Sequence, residues 1–347
     1  MASKTRTALL ATAIMGGAVF ALGLVCGLLY EQAQRARDRE RFPQIGRWVD
    51  IGGRTLNLDC AGTGQPAIIL QSGSPWPSYP DPKKIFENGA PRPGYAWVAI
   101  QRELAQSTTT CWYDRAGSGW SDLGPYPRDS AAQARDLHAL LQRAGIPPPY
   151  ILVAEASAAL DARVFTDFYP AEAAGLVLAD GIHPDLLNRA RPGSRRMERL
   201  PRFVGHSQDL MAQFFNQAGL YRLGAPNRAA PAPPKGITPA EWETIWHLTR
   251  SSKARSALIQ DIAAWPRSVA EARRAGSLGD RPLVVLSSEK TMGPETGDLW
   301  MELQADLTRL STRGKQVIIR GVSGDLIYQA PDAITQATRQ VLASVRP

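Results

Sequence analysis

The chain carries no nucleic-acid reading module, no internal repeat and no long low-complexity tract. Forty Lys and Arg outnumber 32 Asp and Glu, for a formal charge of +8, yet the basic residues are scattered along the whole length. Nucleic-acid binding gathers basic side chains on one face, with aromatics or a reading module beside them, so that partner class is excluded. One denser stretch, Arg189, Arg191, Arg195, Arg196, Arg199 and Arg202, reads as a solvated helix face, with anionic lipid headgroups as the alternative contact. Histidine is scarce, with four copies and none after His247; cysteine is scarcer, with three.

Charge is absent from Ala8 to Tyr30, 23 consecutive uncharged residues. At 1.5 Å per residue a helix there reaches roughly 34 Å, enough to cross a bilayer's hydrocarbon core. A cleavable signal peptide has an apolar core of only about 7–15 residues, and Cys26 after Gly-Leu-Val does not resemble a lipoprotein processing site. The segment therefore reads as an uncleaved single-pass signal anchor. Positive charges flank it on both sides (Lys4 and Arg6; Arg35, Arg37, Arg39 and Arg41), so counting them does not orient it. Gly23-x-x-x-Gly27 has the spacing of a helix-pairing motif, which arises easily by chance in an Ala/Gly-rich span. The organisation is then a flank over 1–7, an anchor over 8–30, a polar linker or helix extension over 31–45, and a globular domain over 46–347.

With 44% hydrophobic and 21% charged residues, the globular part has ample material for a core. Its segments alternate as a parallel sheet with crossover helices requires. Strand-like runs are a pair over Arg47–Asp59, then Ala67–Gln71, Thr109–Tyr113, Tyr150–Val153, Gly175–Ala179, Arg281–Ser287 and Gln316–Arg320. Helices are expected over Ser130–Gly145, Ala158–Tyr169 and Asp332–Val345, and residues 184–280 break the rhythm as an inserted helical lid.

Tyr113-Asp114-Arg115-Ala116-Gly117-Ser118-Gly119-Trp120-Ser121-Asp122 closely resembles the segment after strand 4 in α/β-hydrolases of the esterase and epoxide-hydrolase kind. Pro149-Tyr150-Ile151-Leu152-Val153 resembles the strand entering their nucleophile elbow, and Gly175-Leu176-Val177-Leu178-Ala179-Asp180 their sixth strand. The resemblance covers about residues 47–183 and 281–345. It implies an α/β-hydrolase fold: a mostly parallel eight-stranded sheet flanked by helices, with a helical lid at about 184–280, here preceded by one transmembrane helix.

At the elbow the sequence departs from the family's Gly-x-Ser-x-Gly. Counting from Pro149 or back from Arg163 puts the nucleophile on residue 156, within Ala154-Glu155-Ala156-Ser157-Ala158. The serine position is thus Ala156. Ser157, one step on, serves as nucleophile only if the elbow has slipped; otherwise it starts or caps a helix. The general base of the family follows the last strand, and that position falls on Gly324, or on Asp325 after a one-residue shift. Of the four histidines, His138 sits in an ordinary helix, His206 and His247 in the lid, and His183 after strand 6, where packing is its expected role. Asp180 is retained where some relatives place the triad acid. The resemblance also implies oxyanion-hole donors from the backbone N–H groups of Ser74 and Ser157, with Pro75 unable to supply another.

Glu155, Asp180 and Asp325 are expected near the former catalytic centre. Three crowded carboxylates require either a raised pKa or a cation, a metal or polyamine, among them; in the plainer alternative Glu155 faces solvent and Asp325 caps a helix. No cofactor is implied. Ala156 is expected in either a relaxed turn or a vestigial strained one. Strands 2 and 4 are neighbours in this fold, which makes Cys60 and Cys111 a disulfide candidate; the bond would suit an extracytoplasmic (periplasmic) domain, and two buried thiols are the alternative. The functional reading is a degenerate hydrolase homologue that acts by binding a small apolar ligand under the lid or a membrane-protein partner. The alternatives are an active ester hydrolase using Ser157 and Asp180, and a purely structural membrane protein.

Overall fold

The structure, a computed structural model, describes residues 2–74, 91–190, 202–223, 229–289 and 297–345. Pro75 and most of the arginine-dense stretch lie outside the described residues.

Helix α1 runs unbroken over Ala2–Arg41, so residues 31–41 extend the apolar helix rather than form a separate linker. Its portion from Ile14 onward is long and apolar enough to span a membrane. Three features of the sequence make this continuity intelligible: the run lacks proline and β-branched clusters, its glycines are outnumbered by Ala and Leu, and its polar end carries Glu31–Arg35 at i,i+4 spacing.

After α1 come β1 (Arg47–Asp50), β2 (Thr55–Ala61), β3 (Ala67–Gln71), α2 (Val98–Leu104), β4 (Thr110–Tyr113), α3 (Ser130–Ala144), β5 (Tyr150–Glu155), α4 (Ala158–Phe168) and β6 (Ala173–Ala179). The insertion follows as α5 (Leu186–Ala190), α6 (Arg202–Gln217), α7 (Leu220–Leu223), α8 (Pro239–Arg250) and α9 (Ser252–Arg274). The chain then returns through β7 (Leu283–Ser288), α10 (Gly297–Thr308), β8 (Gly314–Ile319), α11 (Leu326–Gln329) and α12 (Pro331–Val345).

The eight strands form one sheet in the order β1-β2-β4-β3-β5-β6-β7-β8, antiparallel at β1/β2 and β2/β4 and parallel elsewhere. The central strands read as continuous apolar runs because helices cover both faces. Alternate residues of β5 divide between the faces: Leu152 and Ala154 pack with Leu137 of α3 and Phe165 of α4, while Ile151 and Val153 pack with Leu104 of α2 and Val341 of α12. Burying each such Ile, Val or Leu contributes about 1.5–3 kcal/mol. Strand order reverses between β3 and β5, and crevices outside the carboxyl ends of parallel strands at such a point are where ligands bind in open α/β sheets. Ser72–Ser74 and the Glu155–Ser157 turn end on that crevice.

Cys60 and Cys111 are register partners across the antiparallel β2/β4 pair, with Cα atoms 4.1 Å apart, and are joined by a disulfide.

Candidate functional site

Strand β5 turns into α4 through Ala156, which holds φ at +49°. Its N–H donates to Ala179 O at 3.1 Å, and its carbonyl accepts from Ile182 N–H at 3.0 Å and Ala159 N–H at 3.2 Å. The left-handed region costs a Cβ-bearing residue about 1–2 kcal/mol, so of the two conformations expected at the elbow the strained one is present. Gly73 makes the close approach possible: a Cβ there would run into Glu155 O and stand 2.7 Å from Ser157 N.

The carboxylates do not form one cluster. Arg92 donates from Nη1 to Glu155 Oε1 and from Nη2 to Asp325 Oδ1, and its guanidinium lies 5.3 Å over the Tyr328 ring. Arg92 and Glu155 are buried, while the Asp325 side chain is half-exposed. The cation called for by the carboxylates is therefore an internal arginine, tying the elbow to the loop after β8. This replaces both sequence expectations, a metal or polyamine on one side and a solvent-facing Glu155 on the other. Among the described residues no group of three or more His, Cys, Asp or Glu has the arrangement to hold a metal ion. Asp325 does occupy the residue preceding α11, with φ +52°, but its side chain makes no cap hydrogen bond because it turns to Arg92. Gly324 beside it has φ +94°.

Asp180 is bonded to the end of β7. Its Oδ1 accepts from Ser288 N–H at 2.8 Å and its Oδ2 from Ser288 Oγ at 2.7 Å, which fastens the end of β6 to the end of β7.

What places Arg92 is the Tyr113–Asp122 motif. Ser118 Oγ donates to Arg92 O at 2.9 Å, and Asp114 Oδ1 accepts from Gly94 N–H at 2.6 Å. Asp114 also accepts from Trp120 N–H and Asn57 Nδ2, and burial pushes its pKa up to about 6. Trp97 Nε1 donates to Ser72 Oγ at 2.9 Å, closing the loop against β3.

Ser157 has ordinary helical angles, φ −66° and ψ −22°, and makes no side-chain cap bond to its own helix. Its Oγ instead accepts from Ser74 N–H at 2.8 Å. The Ser74 donor expected for an oxyanion hole is thus already used, by the very hydroxyl offered as a replacement nucleophile. Ser74 Oγ in turn donates to Asp261 Oδ2 at 2.8 Å. Beyond it, Arg115 stands 3.4 Å from both Asp261 and Asp161, and Ser130 Oγ donates to Asp161 at 2.6 Å. This buried chain of polar contacts runs from the elbow into the α3, α4 and α9 layer.

None of the histidine side chains described supplies a base there. His183 is buried, with Nε2 3.1 Å from Asp306 and Nδ1 accepting from Asp185 N–H; burial holds its pKa below the usual value. His138 stacks on Tyr169 and sits 3.0 Å from Glu172. His247 stacks on Phe42, 4.1 Å between ring centroids, against the end of α1. The side chain of His206 lies outside the described residues.

The insertion meets α1 rather than standing free of it. Glu31, almost fully buried, is ion-paired with Arg35 and Arg222 and accepts from Ser252 Oγ at 2.6 Å. Asp38 pairs with Arg222 at 2.8 Å. Gly27 belongs to the same contact: a Cβ there would sit 2.5 Å from Ala218 O, whereas Gly23 has nothing within 4 Å. Gly27 therefore makes room for Ala218, the residue that follows α6. Cavities of about 750 and 960 Å³ open between α1 and the insertion; Ala156, Ser157, Asp180 and Asp325 line neither.

Two of these features were missed from sequence. Arg92 left one readable signal, the Pro91-Arg92-Pro93 triplet, whose two prolines fix the backbone around a lone cation. The α1 contact left Glu31, an acid at the border of an apolar run with Arg35 four residues on.

No protein-family model matches the chain. Among curated proteins it is 23% identical over 152 residues to an uncharacterized protein, YbdG, of Bacillus subtilis, covering 44% of this chain and 42% of that one. It is 30% identical over 112 residues to an AB hydrolase superfamily protein of Gibberella zeae, covering 32% and 34% respectively. The matched stretches thus span less than half the length of these relatives. Among solved structures, a thermophilic esterase from Thermogutta terrifontis superposes with a TM-score of 0.57 at 20% identity, over 88% of this chain and all of that one. The likeness, together with the strand order, shows the α/β-hydrolase fold.

Proposed function

We propose that this chain is a membrane-anchored α/β-hydrolase-fold protein that acts by binding rather than by hydrolysis. The observation that carries the reading is the Arg92 clasp. Where the fold's chemistry calls for a serine activated by an imidazole, this chain has Ala156 and Gly324, with Arg92 bonded to their neighbours Glu155 and Asp325. A guanidinium stays protonated at every working pH, so it stabilises the two carboxylates and cannot serve as the missing base. The nucleophilic role of Ser157 finds no support in its surroundings: its Oγ accepts a backbone N–H, and Asp180 is engaged by Ser288. The strained elbow and the sheet-end crevice persist as a shaped surface for a ligand or a partner. The Cys60–Cys111 disulfide supports an oxidising, extracytoplasmic setting for the domain.

The full-length chain in detergent, incubated with an alkyl fluorophosphonate and read by intact-mass spectrometry, tests this. The expected result is no covalent adduct. An adduct mapped to Ser157 would reinstate an active hydrolase.

A further inference from the structure

We propose that the cavity between α1, β1 and the α8–α9 junction holds the headgroup of an anionic phospholipid from the bilayer that α1 crosses. The inference rests on α1 being a membrane span and concerns a site apart from the elbow.

Depth is the first argument. The uncharged run ends at Tyr30, so Arg35 and Arg39 stand about 7.5 and 13.5 Å further along the helix axis. The headgroup layer is about 5–8 Å thick on each side of the hydrocarbon core. Arg35 therefore lies at the outer edge of the headgroup layer and Arg39 about 6–8 Å beyond it, and helix tilt brings both nearer the membrane. Both line the 750 Å³ cavity.

Charge is the second. The cavity's ionised lining comprises Arg35, Arg39, Arg222 and Lys253 against Asp38 and Asp122; with Glu31, which pairs with Arg35 and Arg222 from behind the lining, four positive charges stand against three negative, a surplus of one. Lys253 forms the floor: it is partly buried, and its Nζ donates to Ser121 O at 2.8 Å. Burial pushes its pKa down to about 8, so a proton is held there most securely when an anion sits above it. Arg39, in the same lining, is exposed.

The third is the aromatic rim. Trp48 is 60% exposed beside this opening, and Trp120, whose Nε1 donates to Phe42 O at 3.2 Å, forms part of the wall. Indole rings with one apolar and one polar side favour the membrane–water interface. A phosphodiester between the arginines, with its glycerol end against Trp48 and its acyl chains along the apolar part of α1, satisfies all three.

The test uses full-length protein in detergent micelles, titrated with phosphatidylglycerol and with phosphatidylcholine and read by native mass spectrometry. A single phosphatidylglycerol adduct, about tenfold tighter than phosphatidylcholine, is expected. Arg39→Gln should weaken it about fivefold, the worth of one basic residue at a charged membrane surface. Lys253→Met, which removes the floor charge while keeping the apolar stem, should weaken it at least as much. Arg37→Gln, on the same helix but outside the cavity lining, should leave it unchanged. Equal binding of the two lipids, no adduct, displacement of the lipid by millimolar inorganic phosphate, or insensitivity to both cavity substitutions overturns the proposal. Alkaline-carbonate extraction of membranes containing the full chain separates the premises: release into the supernatant removes the anchor and this inference together, whereas retention without lipid preference removes this inference alone.

Discussion

At the residue scale, the elbow is tied to the loop after β8 by a single buried cation. Arg92 compensates Glu155 across a buried contact, so removing the guanidinium leaves a carboxylate enclosed without its partner. Arg92→Met is expected to lower stability by about 3 kcal/mol, and adding Glu155→Gln and Asp325→Asn to recover most of it, both read from thermal unfolding. If the single and triple variants unfold at the same temperature, the clasp contributes nothing. Ala156 makes the opposite case. Its φ of +49° is natural to glycine, so Ala156→Gly should stabilise by about 0.5–1 kcal/mol despite the added backbone freedom in the unfolded chain. A loss of stability would mean that the Ala156 methyl packs well enough to outweigh the strain. Sequence counting located this residue because the flanking strand and helix fix its register. It could not locate Arg92, which meets Glu155 and Asp325 across 63 and 233 positions of chain.

At the element scale, strands were more legible than the surfaces between helices. Ala67–Gln71 reads as a buried strand from its apolar run alone, and it pairs on both sides. By contrast α2 does not stand out from its loops in the sequence, because an element as short as Val98–Leu104 has too few turns for periodicity to show. The disulfide across β2/β4 closes a long loop, 51 residues in sequence separation. Chain entropy gives such a crosslink roughly 4 kcal/mol, which a comparison of unfolding with and without reductant should recover; no difference would indicate two thiols in solution. A pH dependence belongs to the junction of α9 and α3. There Glu271 accepts from Ala131 N–H at the start of α3, while burial pushes its pKa up to about 7. The folded chain then holds a proton that the unfolded chain releases near pH 4.5, so this site's contribution falls as pH rises from about 4.5 to 7 and is flat above. Glu271→Gln should flatten that part of the stability–pH curve; an unaltered slope would assign it to other groups, Asp114 foremost.

At the scale of the whole molecule, α1 is long and apolar enough to span a membrane and is also a structural strut. Its polar end places Glu31 among Arg35, Arg222 and Ser252, and Phe42 against His247, so the inserted helices rest on the same helix that is apolar enough to enter a membrane. The sequence showed the apolar run and the insertion separately; their contact depends on long-range pairing that no local pattern records. A chain lacking residues 1–45 should therefore exchange amide hydrogens faster through α8 and α9 than the full-length protein, with the central strands unchanged; equal protection would make α1 a mere tether. The same contact dictates that activity be tested on the intact protein. Hydrolysis of short- and medium-chain p-nitrophenyl esters by full-length wild type, beside Ser157→Ala and Asp180→Asn, probes the central claim most directly. No rate above background in any of the three is the predicted result, and a wild-type rate abolished by Ser157→Ala would contradict it.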